Sequence, residues 1–291
     1  MDFDSYMEVQ MNIRVIGIPS NVGALYTGTE LGPKAFREAH IIEKLSKKNL
    51  IFDLGDLDID NTSIRHNIGA IRNWPAPKMM WDKIMDHNNI FVQGDFTIVL
   101  GGGCSVFTGV FMNFHKFYGD QAQILSIDHH IDMKVPSPDI CIGATAFTLY
   151  FLTHKNQWVK SIDGFDNKKI TSMGFNPKTL DATYSTEGVR KYDKHILEDK
   201  PRQVAEDYLK NLDADAKVLL HFDLDAISAD EITSVYMPSP DGLRLKTIAT
   251  LLKVICKDKR IVGMVLTEYS PSLDSSEDAS KIVQFLEEIF I

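Results

Sequence analysis

The sequence predicts an α/β protein built around a parallel, doubly wound sheet. Short apolar runs that suit buried strands alternate along the chain with longer segments whose apolar residues recur at helical spacing. Several of these runs end in glycine or acidic residues, as strands do at the functional edge of an open parallel sheet. With 291 residues, 44% of them hydrophobic, the chain is long enough to bury a large core. We therefore expect helices on both faces of one sheet.

The first predicted elements are a strand at residues 12–18 and a helix that opens at Gly32-Pro33. Proline suits a first helical turn because its missing N–H would have no partner there. The core face of this helix consists of apolar residues at helical spacing, which are Ala35, Ala39, Ile42 and Leu45.

The later elements continue the alternation. A second strand is predicted at residues 50–53, and residues 60–95 are predicted to be mostly helical, with a break at the prolines of residues 74–77. Five further strands are predicted near residues 96–100, 123–127, 170–173, 217–222 and 261–266. Further helices are predicted near residues 201–212, 243–257 and 277–290.

Composition limits the class of protein. No linker, repeat or low-complexity tract divides the chain, so we expect one domain over residues 1–291. The net charge of −9 argues against a nucleic-acid partner and is compatible with a cationic small-molecule substrate. The three cysteines are too scattered for a disulfide framework, and the amino terminus lacks a signal-peptide pattern. No stretch approaches the roughly 18 apolar residues of a membrane-spanning helix. These features predict a cytoplasmic protein with no membrane association.

The segment after the predicted strand at 123–127 carries the pattern Asp128-x-His130-x-Asp132. If extended geometry continues, alternation places these three side chains on one face. Two carboxylates and an imidazole suit a divalent ion such as manganese. Taken alone, the segment is also compatible with a solvated loop that happens to contain two aspartates.

Three other predicted strands end in a similar way. The run at 217–222 is followed by Asp223-x-Asp225, the run at 96–100 by glycines and Cys104, and the run at 261–266 is soon followed by Glu268. Because parallel strands deliver their carboxyl ends to one edge of a sheet, these side chains are expected to converge. The coincidence favours a metal site over a solvated loop.

In chain order, the motifs Gly-Gly-x-Cys-Ser, Asp-x-His-x-Asp, Phe-Asp-x-Asp and Glu-x-x-Pro resemble those of the arginase/agmatinase (ureohydrolase) superfamily, over essentially residues 12–290. The resemblance implies a three-layer α/β/α sandwich around a mostly parallel eight-stranded sheet. It implies hydrolysis of a guanidino or amidino C–N bond by a metal-bridging hydroxide. It also implies two Mn²⁺ ions and a homo-oligomer, as is frequent in the family.

The resemblance further implies a set of six metal ligands shared between two ions. Two metals suit this chemistry because neutral water is a poor nucleophile towards a resonance-stabilised guanidinium, and bound cations lower its pKa. The implied set has Asp128 and Asp223 bridging the ions, His130 and Asp225 completing one ion, and Cys104 and Asp132 completing the other.

The resemblance also implies catalytic roles for two residues. Glu268 would hold the substrate guanidinium, since a carboxylate can accept paired N–H donors from that planar group. Asp132 would also accept a proton and pass it to the leaving amine.

The chain departs from the family pattern at two positions near the metals. Cys104 stands where a histidine ligand is expected, and a thiolate is softer, which would favour Zn²⁺ or Fe²⁺ over Mn²⁺. The alternative is a small buried cysteine without a ligand role. Ile142 stands where the family has a histidine for proton transfer, although Cys141 could be the equivalent position. Arginase-like enzymes with a cysteine at the first ligand act on N-hydroxyarginine, which makes this compound, or a related guanidino compound, a candidate substrate.

The residues that would read the far end of an amino-acid substrate do not match either. Lys134 and Pro138 occupy positions where the family has small polar side chains, and no acidic counterpart is found near Asn176. Activity on plain arginine is therefore not expected. His221, just before the Phe-Asp-x-Asp motif, is either a partner of a metal ligand or a packing residue. The competing hypothesis is a catalytically silent member of the fold with a binding or regulatory role.

Overall fold

A computed structural model describes residues 10–155, 159, 164–271 and 277–290 of the chain. These residues form one eight-stranded sheet with the order β2-β1-β3-β8-β7-β4-β5-β6, in which every neighbouring pair of strands is parallel. The predicted α/β class with a parallel eight-stranded sheet is confirmed. The strands are β1 Asn12–Ile18, β2 Leu50–Asp56, β3 Phe96–Gly101, β4 Ala122–Ile127, β5 Ile170–Met173, β6 Arg190–Tyr192, β7 Lys217–Asp223 and β8 Ile261–Thr267.

Helices cover both faces of the sheet and make the fold a three-layer sandwich. Successive residues of the central strands point to opposite faces, so Ile98 and Leu100 join one apolar cluster while Val99 joins the other. Helices α3, α4 and α5 pack in the cluster of Val99, and the remaining helices contribute to the other. The helices are α1 Gly32–Glu38, α2 Ile41–Leu45, α3 Ala76–Asp86, α4 Ser105–Tyr118, α5 Thr148–Thr153, α6 Lys194–Asp199, α7 Pro201–Lys210, α8 Leu245–Ile255 and α9 Glu277–Phe290.

The expectation of a mostly helical region at residues 60–95 is wrong, because only α3 is helical there. In residues 57–75, side chains bind the backbone in place of helical partners. Asp60 accepts the Thr62 N–H at 2.8 Å, and Asn73 accepts the His66 N–H at 2.9 Å. Such local hydrogen bonds compete with helix formation.

The short strand β6 was absent from the prediction. It lies at the sheet edge, and Tyr192 is its only residue with a partly apolar ring, since the other two are an arginine and a lysine. It therefore lacks the apolar pattern that marks a buried strand.

No helix among the described residues is long and apolar enough to cross a membrane.

The strand order determines where the polar strand ends meet. Strands β3, β8, β7 and β4 are consecutive neighbours in the middle of the sheet. Their carboxyl ends carry the glycine run with Cys104, then Glu268, the pair Asp223 and Asp225, and the segment that begins at Asp128. The topology thus brings four separate segments of sequence to one edge.

The glycine run after β3 allows a close approach of two backbones. The Gly103 N–H donates to the Ser20 carbonyl at 3.0 Å, and a Cβ on Gly102 would lie 1.9 Å from that same oxygen. A Cβ on Gly103 would instead meet the flexible Glu268 carboxylate, at 3.2 Å. Gly102 is therefore required by backbone packing.

We expect Gly102→Ala to lower the free energy of unfolding by about 1–3 kcal/mol, because neither backbone can move away without disturbing β1 or β3. Denaturant unfolding measures the effect, and Gly103→Ala is the matched control, with a smaller loss. Equal losses in the two variants would show that the Ser20 contact is not the cause.

Candidate metal centre

All six predicted metal ligands, together with Glu268, lie at the carboxyl edge of the sheet. Five of these side chains are buried acids that belong to residues at most 8% exposed, namely Asp128, Asp132, Asp223, Asp225 and Glu268. Cys104 is buried at the start of α4, while the side chain of His130 is 29% exposed. Such a concentration of buried acidic groups is costly unless cations or protons neutralise it.

Among the residues that the structure describes, the possible ligand atoms form three overlapping groups, in each of which all atoms lie within 4.8 Å of one another. Two groups share Asp128, as a ligand between two ions would be shared. Asp223 belongs to only one group, with Cys104 and His221. The three groups are Cys104 with Asp128 and Asp132, Asp128 with His130 and Asp225, and Cys104 with His221 and Asp223.

Local hydrogen bonds orient the turns that begin at Asp128 and Asp223. Asp128 Oδ1 accepts the His130 N–H at 2.6 Å, and Asp223 Oδ1 accepts the Asp225 N–H at 2.8 Å. His130 Nδ1 lies 3.1 Å from Asp225 Oδ2, which makes these two side chains an ion pair when the imidazole is protonated. Each turn fixes one carboxylate oxygen. The other oxygen of Asp128 has no partner, while that of Asp223 accepts from the Cys104 thiol.

Four buried carboxylate oxygens have no hydrogen-bond partner in the described part of the chain. All four belong to this cluster, namely Asp128 Oδ2, Asp132 Oδ2, Asp225 Oδ1 and Glu268 Oε2. Buried polar atoms are normally satisfied, and divalent cations would satisfy these. The set of carboxylates and one imidazole fits manganese, and the thiol of Cys104 adds a softer donor. The residues present therefore fit a binuclear metal site.

The pKa values reflect the crowding of acidic groups. Burial raises the pKa of Asp132 to about 7 and that of Glu268 to about 8, with the Asp225 carboxylate adding to both shifts. Burial also raises the pKa values of Asp128 and Asp223 above their ordinary range, with further contributions from neighbouring carboxylates. Protonation of these carboxyl groups lowers the electrostatic repulsion between them. Bound cations would lower it as well.

His130 and Asp225 behave as an ion pair within this cluster. Burial opposes the charged imidazole, but Asp225 and then Asp128 outweigh it and raise the pKa of His130 to about 10. Burial likewise opposes the charged carboxylate, and His130 outweighs it to lower the pKa of Asp225. A metal ion would displace the imidazole proton, since only neutral imidazole is a ligand.

Cys104 faces acidic groups at the centre of the site. Its thiol donates to the Asp223 carboxylate, its sulfur lies 3.4 Å from Thr267 Oγ1, and its backbone N–H donates to Glu268 Oε1 at 2.5 Å. Burial raises the pKa of the thiol, and the Asp223 and Glu268 carboxylates raise it further. The thiol must therefore lose a strongly held proton before it can bind a metal.

Two acidic residues of the site have left-handed backbone conformations, with φ of 47° at Asp132 and 66° at Glu268. Such a conformation is uncommon outside glycine and needs support from the surroundings. The Glu268 N–H donates to the Gly102 carbonyl at 2.9 Å, and its own carbonyl accepts the Tyr236 N–H at 2.9 Å. These bonds fix the direction from which the carboxylate enters the site.

The sequence assigns no definite role to two residues at the site, His221 and Tyr236. His221 lies in one metal-capable group, yet its ring nitrogens are already engaged, 3.2 Å from Ser126 Oγ and 2.9 Å from Thr267 Oγ1. Burial lowers its pKa to about 3, so it is neutral. Tyr236 was not predicted because its loop lacks a motif, but its hydroxyl accepts the backbone N–H groups of Leu25 and Tyr26 near Glu268.

Ile142 lies in a segment that docks on residues 70–72. It forms an isolated parallel bridge with Ile71, and its carbonyl accepts the Arg72 N–H at 2.9 Å. Its side chain offers no group that can carry a proton. Ile142 therefore cannot serve as a proton carrier.

Comparisons with known proteins agree with the fold. The sequence model of the arginase family matches residues 11–291. The arginase of Bacillus subtilis (strain 168) is 27% identical, over 92% of this chain and 94% of its own. A formimidoylglutamase of Geobacillus kaustophilus (strain HTA426) is 28% identical, over 62% of this chain and 55% of its own. Among solved structures, the arginase of Bacillus caldovelox superposes with a TM-score of 0.82 at 24% identity, covering 97% of this chain and 98% of that one. A Trypanosoma cruzi formiminoglutamase with Mn²⁺ has a TM-score of 0.73 at 18% identity, covering 99% and 95%.

We expect Asp223→Ala to abolish manganese uptake, because the variant loses a buried carboxylate from the metal-capable cluster and no other side chain can replace it. Metal content after dialysis, measured by elemental analysis, tests this. Asp241→Asn is the control, since Asp241 is 54% exposed in its side chain and belongs to none of the three groups. Full metal content in Asp223→Ala would contradict the assignment.

The metal-free protein should lose stability as the pH rises from 6.5 to 8. In that interval Asp132 and Glu268, with pKa values of about 7 and 8, hold protons that the unfolded chain has already lost, so folding takes up protons. The raised pKa of His130 acts in the same direction. We expect the free energy of unfolding to fall by about 2–4 kcal/mol.

Denaturant unfolding in chelator at the two pH values measures this change. Glu268→Gln should reduce the pH dependence, because it removes one of the titrating groups. A stability that is constant or rises with pH would show that these carboxyls are already ionised in the folded state.

If Cys104 is a ligand, manganese uptake at its ion should rise with pH, and Cys104→His should tighten it, because imidazole suits manganese better and loses its proton more easily. Calorimetric titration of manganese at two pH values, for both proteins, provides the test. The same stoichiometry and affinity in all four titrations would mean that Cys104 takes no part in binding.

Proposed function

The chain belongs to the arginase family, and on this basis we propose that it is a metal-dependent hydrolase of a C–N bond in a linear guanidino or amidino compound. The observation that carries the proposal is the group of buried carboxylates whose free oxygens converge at the carboxyl edge of the sheet. Divalent cations would neutralise these carboxylates, and a family with this fold uses such a site for hydrolysis.

Two Mn²⁺ ions are the proposed cofactors, with Zn²⁺ or Fe²⁺ as alternatives because of the Cys104 thiol. The proposed ligands are Cys104, Asp128, His130, Asp132, Asp223 and Asp225. When bound, two divalent cations would lower the pKa of a water molecule and so supply the nucleophile.

Glu268 is the proposed binding group for the substrate cation. Its Oε1 is held by the Cys104 N–H, while its Oε2 has no partner, and it belongs to none of the three metal-capable groups of the described residues. A guanidinium or amidinium N–H can therefore donate to Oε2. The charge of that ligand would also stabilise the ionised carboxylate, whose pKa burial raises to about 8.

Asp132 is the proposed proton carrier. Its pKa of about 7 is suited to accepting and returning a proton near neutral pH. Because Ile142 cannot transfer protons, Asp132 would take a larger share of this work than in family members that have a histidine at that position.

The alternative is a catalytically silent protein with a binding or regulatory role. The specific observations in its favour are the replacement of an expected histidine ligand by Cys104 and of an expected histidine by Ile142. A homo-oligomer in the cytoplasm, with no nucleic acid or membrane as partner, completes the proposal in either case.

The experiment measures product release from the manganese-loaded protein with a panel of N-hydroxyarginine, arginine, agmatine and N-formimidoyl compounds. We expect turnover of at least one guanidino or amidino compound and little or none of arginine. Glu268→Gln should keep its metal and bind the same compound about 10- to 100-fold more weakly, as expected for loss of one charge-assisted hydrogen bond. Loss of metal in this variant would instead make Glu268 a ligand.

Binding of these compounds without any turnover would favour the silent alternative. A protein that takes up metal but binds none of the compounds would overturn the proposed function.

A further inference from the structure

An apolar cleft of about 550 Å³ lies between the segment 68–74 and the segment 136–138. Its walls are residues 68–71, Trp74, Pro136 and Pro138. None of these side chains is charged, and the indole N–H of Trp74 is their only polar group. The cleft can therefore recognise an alkyl or aromatic group, but it offers no side chain to pair with an ammonium or a carboxylate.

The cleft shares a wall with the candidate site. Residues 70–72 lie along Ile142, through the Arg72 N–H to the Ile142 carbonyl at 2.9 Å and the Ile142 N–H to the Ala70 carbonyl at 3.3 Å. Three residues further along, the Thr145 side chain lies against Gly103, 3.6 Å from where a Cβ would stand, and Glu268 Oε1 lies 3.2 Å from the same point. On the other side, Pro136 follows Asp132 by only four residues. A ligand held by Glu268 can thus extend towards the cleft.

Exposed apolar side chains surround this opening. Ile68 in the cleft is 73% exposed, and Ile140 and Val135 on the facing segment are 50% and 40% exposed. Apolar surface that is grouped in this way commonly marks a binding site. Its connection to Glu268 through Ile142 and Thr145 makes the far end of the substrate the occupant with the strongest support.

Two acids of the described residues near Asn176 are already engaged with neighbouring groups. Asp181 accepts the Thr183 N–H at 2.7 Å, and Asp241 accepts from Asn176 Nδ2 at 3.2 Å. The same carboxylate is already paired with the ammonium of Lys194. Lys134, whose ammonium lies 5.7 Å from the centre of the Tyr184 ring, adds positive charge after Asp132.

We propose that this cleft binds an apolar substituent of the substrate, so that the protein acts on a guanidino or amidino compound with an alkyl or aromatic group rather than on a free amino acid. The inference rests on the proposed function and assigns the specificity of that site. It favours such compounds over N-hydroxyarginine, whose distal end is a zwitterion.

The test is calorimetric binding of methyl-, butyl-, hexyl- and octylguanidine to the manganese-loaded protein. Affinity should rise by about threefold for each methylene that enters the cleft. Ile68→Asn should weaken octylguanidine binding about tenfold and leave methylguanidine binding unchanged. Ile64→Asn is the matched control, because Ile64 lies in the same loop, is 85% exposed and does not line the cleft.

The outcomes distinguish failure of the cleft assignment from failure of the proposed function. If methylguanidine and its longer relatives all fail to bind, the proposed function itself fails. If they bind with affinities that do not depend on the tail, or if Ile68→Asn and Ile64→Asn have equal effects, the cleft is not the substrate subsite, while the proposed function stands. A tail-dependent affinity that only Ile68→Asn reduces supports the assignment.

Discussion

The mutual repulsion of buried carboxylates is the constraint on which the rest of this structure depends. Five acidic side chains are at most 8% exposed at one edge of the sheet, and His130 is the basic side chain that pairs with them there. Such an arrangement is stable only when protons or cations neutralise it. The raised pKa values of Asp132 and Glu268 mean that protons neutralise part of the cluster. The unpartnered carboxylate oxygens are suited to binding cations.

The rigid sheet holds these groups together despite their repulsion. Parallel strands in the order β3-β8-β7-β4 deliver four segments to the same edge, each fixed by its neighbours on both sides. The left-handed backbone of Glu268 is held by hydrogen bonds to Gly102 and Tyr236, and Gly102 in turn touches Ser20. Strain at the site is thus balanced by ordinary packing and hydrogen bonding in the surrounding loops.

The departures from the family pattern lie around the candidate metal centre, and one explanation accounts for all of them. Cys104 offers a softer donor than a histidine, Ile142 offers no group that carries a proton, and the cleft between residues 68–71 and Pro138 is lined by apolar side chains. A changed substrate, as proposed above, accounts for all of these together. Loss of activity alone would not explain the apolar cleft.

The sequence by itself determined the α/β class, because apolar runs with polar ends are local signals. It also predicted which acidic side chains meet at the carboxyl edge of the sheet, since Asp-x-His-x-Asp keeps its spacing in any register. It misjudged residues 60–95, where side-chain hydrogen bonds such as that of Asp60 replace helical ones, and it missed β6, which has little apolar pattern. The approach of Tyr236 to Glu268, the sulfur of Cys104 against Asp223, and the cleft beside Ile142 were decided only by tertiary structure. Each joins segments far apart in the chain, and their distances follow from strand order and loop packing, which no local pattern encodes.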